Sequence, residues 1–218
     1  MIDFKDLSEL IKTRRSVRKF QDRPVPEDLL LKAIELASWA PNGGNYQPWK
    51  FLIITQKSMI HQMADEVKSK ALLMGTWPEA KPFGETVARW QRNSDFFRGA
   101  PVCIAVLMGK YFSMADQILK ARLEKDPVAQ EMRTSRQIGS STLQGIAAAV
   151  TTLLLLLHSF GLGATWMSGI QIAKKEIERL LNVSPEWDLI VLIPLGYPAE
   201  TPTPPPRKPA SEVVEFFR

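Results

Sequence analysis

The stretch APNGGNYQPW at residues 40–49 separates a helical pattern from an extended one and organises the N-terminal half of the chain. Its glycines and asparagines tolerate positive φ angles, so a loop is predicted here. Adjacent glycines let a backbone approach a flat ligand, and amide side chains pair with a ring that alternates donors and acceptors. The alternative is a turn-rich connection in which Trp49 belongs to the core.

Outward from this loop, hydrophobic spacing predicts a mixture of helices and strands. The predicted helices cover residues 6–14, 26–40, 57–74, 113–132, 139–160 and 173–181, and the predicted strands cover 49–55, 102–108, 164–168 and 189–195. Residues 75–99 are aromatic and read as irregular to helical. Neither an internal repeat nor a change of composition occurs before residue 197. One α+β domain over residues 1–218 is therefore predicted.

The chain changes character after Gly196, where prolines dominate the sequence. Residues 197–218 are expected to be an extended, stiff arm, since proline-rich segments adopt that conformation. Such an arm has no core of its own. It must lie on its own domain or on a partner subunit.

Composition limits the function classes. The chain is 45% hydrophobic and 23% charged, as in soluble globular proteins. A net charge of +5 and a pI near 9.3 suit an anionic ligand. A nucleic-acid partner is not expected, because no nucleic-acid-binding motif is present and the charge is otherwise mixed in sign. The apolar run Ile146–Leu157 is shorter than the roughly 20 residues that span a bilayer, which predicts a buried helix, no membrane and a cytoplasmic location.

Cysteine and histidine usage argues against disulfide and metal chemistry. Cys103 is the single cysteine and lies in an apolar run, so an inert core position is predicted. His61 and His158 belong to no metal-binding motif, and both are predicted to be structural. No metal site is expected.

A second group of functional residue types occurs at Arg14, Arg15, Ser16 and Arg18. If this segment is a helical turn, Arg14 and Arg18 share a face. Like charges this close repel unless an anion lies among them, and such groups bind a phosphate or the electron-rich edge of a ring. A solvated basic face is the alternative.

The glycines of residues 161–166 superficially match a dinucleotide-binding fingerprint. However, Trp166 occupies the third glycine position, and the glycines end a helix instead of following a strand. A nicotinamide cofactor, if used, is therefore not bound by a Rossmann turn.

Separated motifs in the right order resemble the FMN-dependent nitroreductase family. They are RRSVRKF at 14–20, APNGGNYQPW at 40–49, GLGATWMSG at 161–169, and LGYP at 195–198 followed by RKP at 207–209. Asn42 stands where serine is common in the family. The resemblance implies an α+β sandwich with a central, mainly antiparallel sheet flanked by helices. It also implies an interlocked homodimer in which residues 197–218 pack on the partner subunit and two FMN sites lie at the interface.

The resemblance further implies which residues bind FMN. They are Arg14, Arg15, Ser16, Arg18, Pro41, Asn42, Asn45, Gln47, Ser168, Gly169 and Arg207. Arg14, Ser16 and Arg207 would hold the phosphate and ribityl side, with help from Arg15. Arg18 would stabilise negative charge near the N1–C2 edge electrostatically, and no protein acid or base is required. Ser168 and Gly169 would face the ring near N5, and the residues between 41 and 47 would come partly from the other subunit.

The implied function is electron transfer from NADH or NADPH, by a ping-pong hydride mechanism, to a small acceptor such as a nitroaromatic or quinone. Two alternatives stay open: a flavin enzyme of different chemistry, either reductive dehalogenation or oxygen-dependent flavin breakdown, and a non-enzymatic FMN-binding protein. The chain departs from the family at Thr151-Thr152, where a Gln-Asn pair is frequent. One of the segments 77–97 and 111–137 is expected to cover the cavity; the alternative is that their aromatic residues belong only to the core.

Overall fold

The computed structural model describes residues 3–111 and 113–217, and helices alternate with four short strands in this part of the chain. The helices are α1 (Phe4–Thr13), α2 (Glu27–Ala37), α3 (Lys57–Gly75), α4 (Gly84–Asn93), α5 (Met114–Arg122), α6 (Pro127–Gly139), α7 (Ser141–Ser159) and α8 (Lys174–Leu180); the strands are β1 (Trp49–Ile54), β2 (Val102–Gly109), β3 (Gly163–Ala164) and β4 (Trp187–Gly196). Short 3-10 turns cover Gly43–Asn45, Pro78–Phe83, Phe96–Gly99, Gly169–Ala173 and Ala210–Glu212.

The strands form one sheet in the order β1-β2-β4-β3, and every neighbouring pair is antiparallel. Trp49 lies opposite Met108 near one end of the sheet, and Val102 lies opposite Leu195 near the other. The interior strands β2 and β4 are almost entirely buried, because helices cover both faces of the sheet. This architecture confirms the predicted α+β class with an antiparallel central sheet.

Alternation along β2 divides the interior into two cores. Val102, Ile104 and Val106 point to the face that α2 and α7 cover. Cys103, Ala105 and Leu107 point to the opposite face, which α3, α8 and the turn Gly169–Ala173 cover. Burial raises the pKa of the Cys103 thiol, which keeps it protonated and unreactive.

Two element predictions were wrong in extent. The helix predicted over 113–132 is two helices, because Asp126 caps the N-terminus of α6 and Pro127 occupies its first position. The strand predicted over 164–168 pairs continuously only at Gly163–Ala164 and rejoins β4 through a single bridge from Met167 to Leu192.

Helix α7 is the central helix of the fold. The stretch Pro127–Ser159 is long and apolar enough to cross a membrane by length and composition alone. Within it, Leu153 and Leu157 are fully buried against the sheet and α2, so the apolarity of α7 is that of a core helix. Thr151 and Thr152 donate their hydroxyls to the carbonyls of Ala147 and Ala148, at 2.8 and 3.0 Å, and so satisfy their own polar groups within the helix.

The C-terminal arm starts on its own chain. Phe20 and Pro198 form an antiparallel bridge, and Arg23 lies over the Tyr197 ring at 3.7 Å. The Ala199 N–H donates to Lys19 O at 2.9 Å. Beyond residue 200 the described arm is exposed almost throughout. Packing of the remainder on a partner subunit stays a prediction.

Candidate active site

The N-terminal motif pairs directly with the edge of the sheet. Ser16 bridges Ala164 in parallel, and the Val17 N–H donates to Ala164 O at 3.2 Å. Thr165 returns a hydrogen bond, from its hydroxyl to Val17 O at 2.6 Å. Gly163 permits this approach, because a Cβ there would lie 2.7 Å from Val17 Cβ. The pairing brings together the motifs at 14–18 and 161–169, which are far apart in sequence.

Residues 14–18 do not form the helical turn considered from the sequence. Helix α1 ends at Thr13, and Arg14 has extended dihedral angles of φ −57° and ψ 128°. Side chains in an extended segment alternate between its two sides, so Arg14, Ser16 and Arg18 share one side while buried Val17 points to the other. At about 3.3 Å per residue, Arg14 and Arg18 are roughly 13 Å apart along the chain.

A cluster of guanidinium groups forms around Arg14. Burial and the positive charges of Arg15 and Arg207 lower the pKa of Arg14, so Arg207 of the C-terminal arm lies close to the N-terminal motif. Arg15 is held by the carbonyls of Lys12 and Arg14. Within residues 3–111 and 113–217, neither Arg14 nor Arg207 forms a hydrogen bond or ion pair through its side chain. Such a cluster is electrostatically costly until an anion joins it.

His158 lies beside this cluster at the end of α7. Its Nε2 is 2.9 Å from Thr13 Oγ1, and Thr13 donates its one hydroxyl proton to Glu9 O at 2.7 Å. The Thr13 oxygen must therefore accept from His158, which places a proton on Nε2. Burial, followed by Arg14 and Arg15, lowers the pKa of His158. No sequence signal identified this position; only the fold brings His158 to the cluster.

The Arg18 guanidinium has no hydrogen-bond acceptor among the residues that the structure describes. Its backbone N–H donates to Glu200 Oε1 at 2.7 Å, and the Lys19 N–H donates to the same oxygen at 3.2 Å. The Arg18 guanidinium lies 5.9 Å from the centre of the Phe96 ring, and it donates no hydrogen bond within the part of the chain that the structure describes. Sequence reasoning missed both Glu200 and Phe96 as supports of this motif.

Ser168 and Gly169, which follow β3 in the chain, offer two backbone N–H donors. Both residues are exposed, and neither backbone N–H donates a hydrogen bond among the described residues. Met167 fixes the segment through reciprocal backbone bonds with Leu192, at 3.0 and 3.1 Å. No atom lies within 4 Å of the Cβ position of Gly169. A planar ligand with acceptor atoms can therefore approach this backbone closely.

The loop at residues 41–47 is shaped by its own backbone and by Asn42. Asn42 donates to Ala40 O at 3.2 Å and accepts from the Gln47 N–H at 2.8 Å, so its amide closes the loop. Gly44, Asn45 and Gln47 all have positive φ, at 62°, 52° and 52°. Asn45 and Gln47 line an open cavity of about 510 Å³ together with Glu35, Ser38, Trp39 and Ala40. Pro41 is exposed beside it.

The structure does not bring this loop to the arginine cluster. A Cβ at Gly145, near the start of α7, would lie 2.9 Å from Asn42 Cβ, whereas His158 lies at the opposite end of α7. A rise of 1.5 Å per residue separates Gly145 and His158 by about 20 Å along the helix. The arginine cluster and the loop at residues 41–47 therefore lie toward opposite ends of α7.

Comparison with known proteins gives a consistent result. Residues 11–197 match the model of the Nitroreductase family. A candidate NADH dehydrogenase/NAD(P)H nitroreductase of Methanothermobacter thermautotrophicus is 31% identical over 200 residues, which cover 90% of this chain and 80% of that protein. The iodotyrosine deiodinase of Thermotoga neapolitana is 27% identical over 96% of both chains. The crystal structure of a BluB-like flavoprotein from Clostridium difficile 630 superposes with a TM-score of 0.85 at 27% identity, covering 97% of this chain and 99% of that one.

Proposed function

The chain belongs to the nitroreductase family, and on that premise we propose that it is an FMN-dependent oxidoreductase. It passes electrons from NADH or NADPH to a small acceptor such as a nitroaromatic or a quinone. The observation that carries the proposal is the proximity of Arg14, Arg15 and Arg207, none of which forms an ion pair with a described residue. The likeness to a flavoprotein over 97% of this chain supports a flavin cofactor.

The arginine cluster fits the phosphate of FMN. Guanidinium groups donate forked, charge-assisted hydrogen bonds to phosphate oxygens, and a doubly charged anion removes the repulsion among the three arginines. Ser16 lies on the same side of the extended segment as Arg14 and adds a hydroxyl donor. Arg14, Ser16 and Arg207, supported by Arg15, would therefore hold the phosphate and the adjoining ribityl chain.

The ring end of the site fits Arg18, Ser168 and Gly169. If Arg14 holds the phosphate, Arg18 would lie roughly 13 Å further along the extended segment, and the free N–H groups of Ser168 and Gly169 would meet ring acceptors there. FMN, when bound, supplies two-electron transfer between the nicotinamide and the acceptor. Arg18 contributes fixed positive charge where the ring gains electron density, which favours reduction without a protein acid or base.

A second copy of the chain would complete the site. The loop carrying Pro41, Asn42, Asn45 and Gln47 lies about 20 Å of helix away from the arginine cluster in the same chain. In a homodimer, the loop of one subunit lies beside the cluster of the other. The glycines and positive φ angles of this loop present its backbone to the ring.

Exposed apolar surface supports that dimer. Phe4, Leu7 and Ile11 of α1 follow helical spacing on one exposed face, and Trp39 is 85% exposed at the end of α2. On the exposed side of α7, the Thr151 hydroxyl donates its hydrogen bond to Ala147 O within the helix. This surface could therefore pack against a partner subunit without leaving the hydroxyl unpaired. The exposed end of the arm, including Phe217, would pack on the partner subunit.

The visible absorption spectrum of the purified protein tests the proposed function. Flavin bands are expected, either directly or after addition of FMN, and NADH or NADPH should bleach them under nitrogen. Re-oxidation by a nitroaromatic or a quinone would complete the cycle and identify the acceptor class. A protein that takes up no FMN would refute the proposal, and flavin bands that neither nicotinamide bleaches would leave only FMN binding.

Reductive dehalogenation is a second candidate, favoured by the 27% identity to an iodotyrosine deiodinase over 96% of both chains. The protein would then remove halide from a halogenated aromatic substrate while FMN is re-oxidised. Release of iodide from an iodinated phenol under nitrogen, at a rate exceeding that of nitroaromatic reduction, would favour this candidate. An enzyme that reduces nitroaromatics and releases no halide would exclude it.

A further inference from the structure

A small polar cavity of about 210 Å³ lies beside the loop but outside the residues assigned above. Its walls come from Tyr111, from α6 through Arg133, and from the start of α7 at residues 140–142. These walls also contact the loop: the Cβ position of Gly44 is 3.5 Å from Tyr111 Oη, and that of Gly43 is 3.6 Å from Ser141 Cβ. The rings of Tyr46 and Tyr111 have centres 4.3 Å apart. The cavity is therefore continuous with the loop surface.

Arg133 is the group in this cavity that lacks a partner. Its Nη1 atom is buried and has no hydrogen-bond partner. No other atom of its guanidinium forms a hydrogen bond or ion pair with the residues that the structure describes. A buried donor that loses its hydrogen bond to water without replacing it costs free energy, and the cost is larger when the group is charged.

The one carboxylate in the cavity wall does not compensate Arg133. Asp116 accepts two hydrogen bonds from Arg136, at 2.8 and 3.1 Å, and two from Ser113, at 3.0 Å from the backbone and 2.7 Å from the hydroxyl. These hydrogen bonds lower the pKa of Asp116 well below its usual range, so the carboxylate stays ionised and remains paired with Arg136. The cavity is left with the uncompensated charge of Arg133.

The start of α7 adds donors to the same cavity. Ser140 caps the helix through its hydroxyl, which accepts from the Leu143 N–H at 3.3 Å. The N–H groups of Ser141 and Thr142 donate no hydrogen bond among the described residues. Free amides at the positive end of a 19-residue helix favour an anion. They point to the same ligand chemistry as Arg133 but are independent of it.

We propose that this cavity binds the oxyanion group of a substrate, a carboxylate or a phosphate, and selects anionic substrates for the reaction beside the loop. Only the selection of substrates rests on the proposed function, because the binding of an oxyanion requires no enzymatic turnover. A carboxylate or phosphate oxygen would accept from the Arg133 guanidinium, and the helix amides would supply further donors. The cavity, of about 210 Å³, has room for such a group and for part of the substrate that carries it.

Calorimetric titration of the FMN-saturated protein tests the binding directly, since FMN occupies the separate Arg14 cluster. The probes are benzoate, its neutral isostere benzamide, and inorganic phosphate. Wild-type protein should bind benzoate or phosphate at least about tenfold more tightly than benzamide. Arg133→Gln should abolish that preference, whereas Arg122→Gln, an exposed arginine of α5 paired with Asp126, should retain it. An unchanged preference in Arg133→Gln, or none in wild type, overturns the proposal.

Steady-state kinetics then identify which substrate carries the oxyanion. If it is the acceptor, Arg133→Gln lowers kcat/KM for 4-nitrobenzoate and leaves 4-nitrobenzamide unchanged. If it is the donor phosphate, the variant lowers kcat/KM for NADPH and leaves NADH unchanged. Equal losses with all four substrates contradict substrate selection. Arg133→Lys keeps the charge and should keep part of the preference, which guards against a folding defect in the glutamine variant. If the protein binds benzoate through Arg133 but NADH and NADPH do not reduce its flavin, the proposed function is refuted and the oxyanion site is supported.

Discussion

The two ends of α7 carry the two halves of the candidate site, and they are built in different ways. At the C-terminal end, the fold of one chain brings Arg14 and Arg207 close together, and neither forms an ion pair with a described residue. At the N-terminal end, the loop uses Asn42 to close on itself and presents Asn45 and Gln47 outward. The first half consists of residues of one chain, whereas the second lies at the other end of α7, beside the cavity that Arg133 lines. Under the proposed function, a homodimer would bring the first half of one chain beside the second half of the other.

The largest expected effect is at the charged end. Arg14→Ala or Arg207→Ala removes charge-assisted hydrogen bonds to the FMN phosphate, each with about 1.5–3 kcal/mol at stake. The dissociation constant of FMN should rise roughly 10- to 150-fold, measured by quenching of flavin fluorescence on titration. Arg89→Ala, which changes an exposed arginine of α4, is the matched control and should bind FMN as wild type does. Full flavin occupancy in either cluster variant would remove the phosphate assignment.

Glycine substitutions at the two ends should give intermediate effects. Gly163→Ala places a Cβ 2.7 Å from Val17, and Gly145→Ala places one 2.9 Å from Asn42 Cβ. Each should destabilise the fold by about 1–3 kcal/mol through overpacking and lower the Tm by roughly 2–10 °C. Gly139→Ala is the control, since no atom lies within 4 Å of its Cβ position. Equal Tm values for all three variants would argue against the close contacts at both ends of α7.

The smallest expected effect is the pH dependence of stability that His158 provides. The pKa of His158 is lowered in the folded protein. Its contribution to the free energy of unfolding is therefore fully present above the pKa of the unfolded state, about 6.5, and is lost as pH falls through the pKa of the folded state. Between about pH 7.5 and 5.5, the FMN-free protein should lose roughly 1–3 °C more in Tm than His158→Gln does. Gln62→Ala, at an exposed and uncharged position of α3, serves as the control and should keep the wild-type profile. Identical profiles for wild type and His158→Gln would show that His158 is not coupled to the cluster.

Local pattern was sufficient to predict much of the fold. The apolar runs of β2 and β4 and the helical spacing of α2, α3 and α7 were visible in the sequence, because burial imposes those periods. The break before α6 was missed although Asp126 and Pro127 form a recognisable helix start. The strand predicted over 164–168 was too long, since strand pairing depends on the position of β4 and not on local composition.

The candidate site was predictable only as separate motifs. The residues from 14 to 18 were identified by type, and the resemblance added Arg207, but spacing alone gave no distance between them. Contacts across long sequence separations stayed invisible: Glu200 with the Arg18 backbone, Phe96 with the Arg18 side chain, and His158 with Thr13. Arg133 was likewise indistinguishable from any surface arginine, because the burial of its Nη1 depends on where the fold places α6 and not on local sequence.

Mixed dimers test the two-chain site most directly. A chain with Arg14→Ala is co-expressed, under a second affinity tag, with a chain whose loop is disabled by Asn45→Ala and Gln47→Ala, and the mixed dimer is purified through both tags. If each site combines the cluster of one chain with the loop of the other, one site contains every defect and the second is intact. The mixed dimer should then bind one FMN per two chains with wild-type affinity. Flavin binding no tighter than in the two variant homodimers would show that each chain builds its own site and would contradict the account.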